Sequence, residues 1–198
     1  MFGGFVMSHD IDFAFHQMLQ RVSKADFFSQ TGRGNDLAFY IYDYAPSAEL
    51  KVREHTTKFI EAIDSRLGRT ALEVDILNLM VETLRNYGFL ERAYDMQKQM
   101  TQEDFFNELN GVLGPDRIAE YIQEKVRQAE KKPDMVIITG IGKSYPIARA
   151  HGILNNLHSR LDEMPVILFY PGTYDKASLS LFNEFKENNY YRAFKMLD

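Results

Sequence analysis

The chain has no cysteine among its 198 residues. That absence excludes a disulfide framework, a thiolate zinc site, an iron–sulfur cluster and a cysteine nucleophile, and it fits a reducing compartment. Long apolar runs are missing as well. Met135–Thr139 and Pro165–Tyr170 fall far short of the ~20 residues that a membrane-spanning helix needs. The segment Met1–Met7 lacks both a basic stretch and a hydrophobic one, so it does not read as a signal peptide. Residues 1–7 are expected to be overhang or disorder, with Met7-Ser8 a candidate true start. No dense basic run exists and the net charge is −5, so direct nucleic-acid binding is not expected. Glycine and proline are sparse, and neither a low-complexity tract nor an internal repeat is visible. What remains, 45% apolar and 26% charged residues, is an ordinary globular composition. The length suits one cytoplasmic domain that buries a core without staples.

Periodicity supplies the elements. Ser8 or Asp10 can cap a helix whose apolar residues are Ile11, Phe15, Leu19 and Val22. Gly32–Gly34 breaks the chain, and Leu37–Tyr44, rich in aromatic and β-branched residues, predicts a strand stopped by Ala45-Pro46. Ser47 is placed to cap a second helix with the stripe Val52, His55, Phe59, Ile63 and Leu67. Ala71–Val74 is a short strand, and Ile76–Tyr87 a helix ended by Gly88. Residues 89–130 read as a helical insertion. Met135–Thr139 and Pro165–Tyr170 have the unbroken apolar character of strands covered on both faces. Gly140-Ile-Gly142 turns into one helix carrying Ile147, Ala150, Leu154 and Leu157, and LFNEFK near the end reads as helical. The expectation is an α/β fold in three layers, a mostly parallel sheet of about four strands flanked by helices. In such sheets ligands and partners meet the loops after the strand carboxyl ends, here Asp43–Ser47, the region of Asp75, Gly140–Pro146 and Tyr170–Asp175.

Three chemistries are almost present. Gly140-Ile-Gly142-Lys143-Ser144 follows a strand and opens a helix, as a phosphate loop does, but it is three residues too short to wrap a diphosphate. Pro146 also removes an amide donor. Gly142-Lys-Ser144-Tyr-Pro146 misses the nucleophile elbow because proline replaces its second glycine. The histidines that follow, His151 and His158, sit on the next helix, where a triad base does not belong. They lie roughly 10.5 Å apart along a helix axis, poorly spaced for one metal ion. With Asn155 they read as a solvated flank or a contact stripe. His55, on an apolar stripe, reads as a hydrogen-bonded core residue, and Glu61/Asp64 as solubilising charge. No catalytic residue, cofactor or metal site is expected.

One ordered string of residues is more specific. Gly140-Ile-Gly142, Tyr145-Pro146, Arg149-Ala-His151 and Leu154-Asn155-Asn156-Leu157 are followed by Phe169-Tyr-Pro171-Gly172-x-Tyr174 and Asn189-Tyr190-Tyr191-Arg192-Ala193-Phe194. Together with Phe39–Pro46 and the helix of Arg53, this resembles the BrxB family, accessory components of bacteriophage exclusion (BREX) defence systems. The resemblance implies association with PglZ, the alkaline-phosphatase-like protein of those systems, with other BREX components as further partners; because the chain holds no complete catalytic constellation, a non-enzymatic, protein-binding role is expected. A homodimer is also compatible. Candidate contact or motif residues are Tyr145, Arg149, Asn155, Asn156, Tyr174, Tyr190 and Arg192. The rival readings are a degenerate nucleotide- or phosphate-binding domain with a regulatory role and a nucleic-acid-binding accessory.

Overall fold

The computed structural model describes residues 8–28, 39–161, 163–187 and 193–197. The expected overhang at residues 1–7, the break at Gly32–Gly34 and the tail residues Tyr190 and Arg192 lie outside the described residues. The sheet is built on β1 (Phe39–Tyr44), β2 (Ala71–Asp75), β3 (Met135–Thr139) and β4 (Val166–Tyr174). Its order is β2-β3-β4-β1-β7, where β7 is the two-residue edge Phe194–Lys195, and every pair along this path is parallel. Ile138 lies opposite Leu168 and both are wholly buried, as expected for neighbouring core strands.

Two cores follow from the alternation of side chains across the strands. On one face Val136, Ile138, Val166, Leu168, Phe39 and Ile41 pack beneath α3 (Ile76–Asn86), α4 (Leu90–Gln99), α5 (Gln102–Leu113), α6 (Pro115–Gln128), α7 (Ile141–Ser144) and α8 (Ala150–Leu157). On the other, Met135, Ile137, Ile167, Phe169, Tyr40 and Tyr42 pack under α1 (Ser8–Val22) and α2 (Glu49–Leu67). The split has a cause. From β1 the chain crosses to the far edge at β2 and then returns through β3 to β4. Right-handed crossovers in opposite directions put their helices on opposite faces.

Local chemistry fixes the ends of several helices. Gly68 closes α2 in the left-handed conformation (φ 62), where a side chain would be strained. The Asp75 carboxylate accepts from the Asn78 amide at 3.0 Å and caps α3. Four expectations are corrected. Ser47 does not cap α2, because Pro46–Ala48 form a 3₁₀ turn and the helix starts at Glu49 behind Ala48, which has no capping oxygen. The helix expected after Gly140 is two, α7 and α8. Proline after Tyr145 removes a donor and holds Tyr145 extended (φ −66, ψ 141), so no helix runs through. LFNEFK is not helical: Leu179–Leu181 is β5 and Phe185–Lys186 is β6, an antiparallel hairpin. The histidine flank is not solvated either. His158 is buried with its ring 4.2 Å from that of Phe39, and His151 is held by Glu187.

Candidate functional site

β4 is longer than its neighbours. Val166–Pro171 pair with β1, but Gly172–Tyr174 run on past the sheet and pair with β5, which pairs with β6. The hairpin therefore lies at the carboxyl edge, where open α/β sheets leave their ligand crevice. Its sharp joint needs Gly172, since a Cβ there would stand 2.1 Å from the Ser180 carbonyl oxygen. At its tip Phe182 (φ 55) and Asn183 (φ 62) are both left-handed, and a bulky residue in that region costs about 1–2 kcal/mol. What holds Phe182 there is its ring, which with Pro171 fills the space above Gly142. A Cβ on Gly142 would meet Phe182 and Pro171 carbons at 2.9 Å.

This packing surrounds the turn that resembles a phosphate loop. Phe182 and Pro171 carbons lie against Gly142, in the space a side chain there would take. Lys143 is committed, its Nζ donating to Asp75 Oδ2. The Ser144 hydroxyl is buried and donates within its own turn, 3.0 Å from the carbonyl oxygens of Gly140 and Ile141. Gly140 (φ 80) is required twice, for its conformation and because a Cβ would stand 2.8 Å from Asp75 Oδ1.

The hairpin is tied down by polar contacts. The side chain of Glu187 is buried, with the His151 backbone N–H donating to it at 3.1 Å and His151 Nδ1 at 2.9 Å. The Tyr170 hydroxyl donates to the other carboxylate oxygen at 3.3 Å. Burial first, then the Glu187 charge, pushes the Tyr170 pKa well above the ordinary phenol range. The Tyr174 N–H donates to Asp43 Oδ2 at 3.0 Å, and its hydroxyl donates to the Ala193 carbonyl at 2.8 Å. Lys195 also reaches Asp43 Oδ2, at 3.2 Å. The four strand-end segments expected from sequence thus converge on one edge, and the chain itself caps that edge.

What the cap presents outward is aromatic. Tyr145 packs on Phe185 with ring centroids 4.9 Å apart, and Phe182 lies next to Phe185 at 6.4 Å. The exposed Arg149 guanidinium stands 6.0 Å from the Tyr145 ring. Phe185 is 42% exposed, a large apolar group left in water.

The sequence-derived candidates divide. Tyr145 and Arg149 come together on this patch. Asn155 is exposed on α8, and the Asn156 amide donates to the Gly152 carbonyl of its own helix at 2.8 Å. Tyr174 is wholly buried. Tyr190 and Arg192 lie outside the described residues. Phe182, Phe185, Glu187 and the Lys143–Asp75 pair were not anticipated. The alternation Leu179-x-Leu181 was the available signal for the hairpin, obscured by Phe182 where a turn glycine would be looked for. His55, expected as a hydrogen-bonded core residue, is hydrogen-bonded to the Lys51 carbonyl at 2.8 Å and to Asp12 at 2.5 Å with Phe15 beside it, but it is half-buried at the margin of the core and not within it. Among the described residues no three histidine or carboxylate side chains converge to hold a metal ion, and no helix is long and apolar enough to cross a membrane.

The family model described as BREX protein BrxB matches residues 72–196, which take in the capped edge from β2 to β7. The chain belongs to the BrxB family. This BrxB chain is 37% identical over 186 residues to the BREX protein BrxB of Bacillus cereus (strain H3081.97), covering 92% of this chain and 95% of that protein. It is 30% identical over 187 residues to the BREX protein BrxB of Escherichia coli O9:H4 (strain HS), covering 94% and 92%. No solved structure matches it. As a BrxB protein it is a component of the BREX phage-defence system.

Proposed function

We propose that this BrxB protein works without catalysis, as a rigid adaptor that binds the PglZ-like protein of its own BREX system through the capped carboxyl edge. One observation carries the reading. Phe182 and Pro171 pack against the turn at Gly142, and beside them Phe185 and Arg149 are exposed, with half-buried Tyr145 next to both. Aromatic residues and arginine are the usual anchors of protein interfaces, and anchors fixed in advance lose little entropy on binding. Asn155, Tyr190 and Arg192 belong to the proposed contact set, whereas Tyr174 and Asn156 support it from within.

The test is co-expression with the PglZ-like protein. The two chains co-purify without added nucleotide or nucleic acid, and binding weakens little between low and moderate salt, because the contact rests on shape and aromatic anchors. Phe185→Ala and Arg149→Ala each weaken it by about 2 kcal/mol. No co-elution at tens of micromolar of both folded proteins would remove this partner.

A further inference from the structure

The second feature is the far edge of the sheet, at β2. Among the described residues β2 pairs with β3 alone. The direction of its backbone groups follows from the register. Val136 N–H donates to the Pro165 carbonyl on the β4 side, so Val136 and Ile138 face β4, and Met135, Ile137 and Thr139 face β2. In a parallel ladder those residues bond the neighbours of their partners, as the Met135 N–H does to the Thr70 carbonyl. Thr70, Leu72 and Val74 therefore turn their backbone groups toward β3, and Ala71 and Glu73 turn theirs outward. Among the described residues neither outward pair has a hydrogen-bond partner. A groove of about 400 Å³ runs along this edge, floored by Leu72, Val74 and Leu79 and walled by the Glu82–Lys125 ion pair.

Charge selects the occupant. Asp75 and Glu82 are neutralised by Lys143 and Lys125. Among the described residues the Glu73 carboxylate has a hydroxyl partner, Thr139 Oγ1 at 2.8 Å, and no cation. In the antiparallel registers that set Glu73 against Glu73 or Ala71 of a second copy, two such carboxylates lie opposite or diagonal to one another, which destabilises a sheet. We infer that the β2 edge accepts an extended segment of a partner protein as an added strand, one that alternates apolar residues over Leu72 and Leu79 with a basic residue beside Glu73. Main-chain bonds to Ala71 and Glu73 supply the affinity, and the alternating side chains supply the specificity. The inference rests on the reading that the protein acts by binding proteins, but it uses a different surface from the capped edge.

The probe is a short peptide of alternating lysine and valine, with alternating glutamate and valine as the control. When free lysine–valine peptide stands about ten times above its Kd, amide exchange of Ala71 and Glu73 slows about tenfold, and Leu72 and Val74, already in the ladder, stay as they were. Ala71→Pro removes an outward donor without touching the β2–β3 ladder and abolishes the slowing at Glu73, the outward amide that remains. Glu73→Lys transfers it to the glutamate peptide. Unchanged exchange at both amides overturns the inference, as does equal slowing by both peptides or slowing that survives Ala71→Pro. Loss of the PglZ-like complex with peptide protection intact counts against the adaptor reading alone.

Discussion

Lys143 and Ser144 show how a residue pair can imitate chemistry while its own groups are engaged elsewhere. Read as sequence, they end a glycine-containing strand-to-helix turn. In the fold, Lys143 closes an ion pair with Asp75 across the tops of β2 and β3, and Ser144 stitches its own turn. The expected outcome of Lys143→Ala is a loss of about 0–1 kcal/mol, because the pair is part-exposed and screened. Ser144→Ala, which removes a buried hydroxyl from two carbonyls, costs about 1 kcal/mol. Urea unfolding measures both, and phage protection by the complete system should persist with either variant. A well-folded Lys143→Ala protein that loses protection would return the phosphate site to consideration. Glu187 is the converse case, an acid unnoticed in sequence whose importance comes from position. It sits between His151 and Tyr170 and joins the hairpin to α8 and β4.

Elements with one strong period were legible in the sequence. Met135–Thr139 and the run into β4 are apolar throughout because both sheet faces are covered, and Ile118, Ala119 and Ile122 mark the buried side of α6. Ile138→Ala and Leu168→Ala should each cost about 2–5 kcal/mol, since each leaves a void between layers that cannot collapse. Chemical denaturation reads this directly, and a loss under 1 kcal/mol at both positions would contradict the packing. Elements fixed by long-range contacts were not legible. β5 and β6 exist because Phe182 seats over Gly142, residues forty positions apart, and no local rule places a left-handed phenylalanine in a turn. β7 is two residues long and is defined by β1 beside it. The site was legible as a location, through the rule on strand carboxyl ends, and partly as residues, through Tyr145 and Arg149. The aromatic partners of those two came from the hairpin and stayed hidden with it.

At the scale of the whole molecule, tyrosine sets the alkaline limit of stability. Burial raises the pKa of Tyr40, Tyr44, Tyr170 and Tyr174, and the neighbouring Glu49, Glu187 and Asp175 charges add to it at the last three. Above about pH 10 the unfolded chain releases these protons while the folded chain retains them. The folded state then binds more protons, so stability falls as pH rises, and below that range the contribution is fully present. Unfolding free energies measured from neutral to strongly alkaline pH should decline beyond pH 10 alongside delayed tyrosinate absorbance. Tyrosines that all titrate normally in the native protein would refute this.

The plug over Gly142 has a consequence for how such a molecule can be controlled. Phe182 stays packed over the turn at Gly142 for as long as the hairpin is folded. A metabolite at ordinary cellular levels would have to displace a group that never diffuses away. On the adaptor reading proposed above, what reaches this edge is a whole surface able to grip the outside of the plug. Phe182→Ala would remove the plug and leave a ring-sized vacancy, which is where a chemist wanting to make the protein answer to a small molecule should begin.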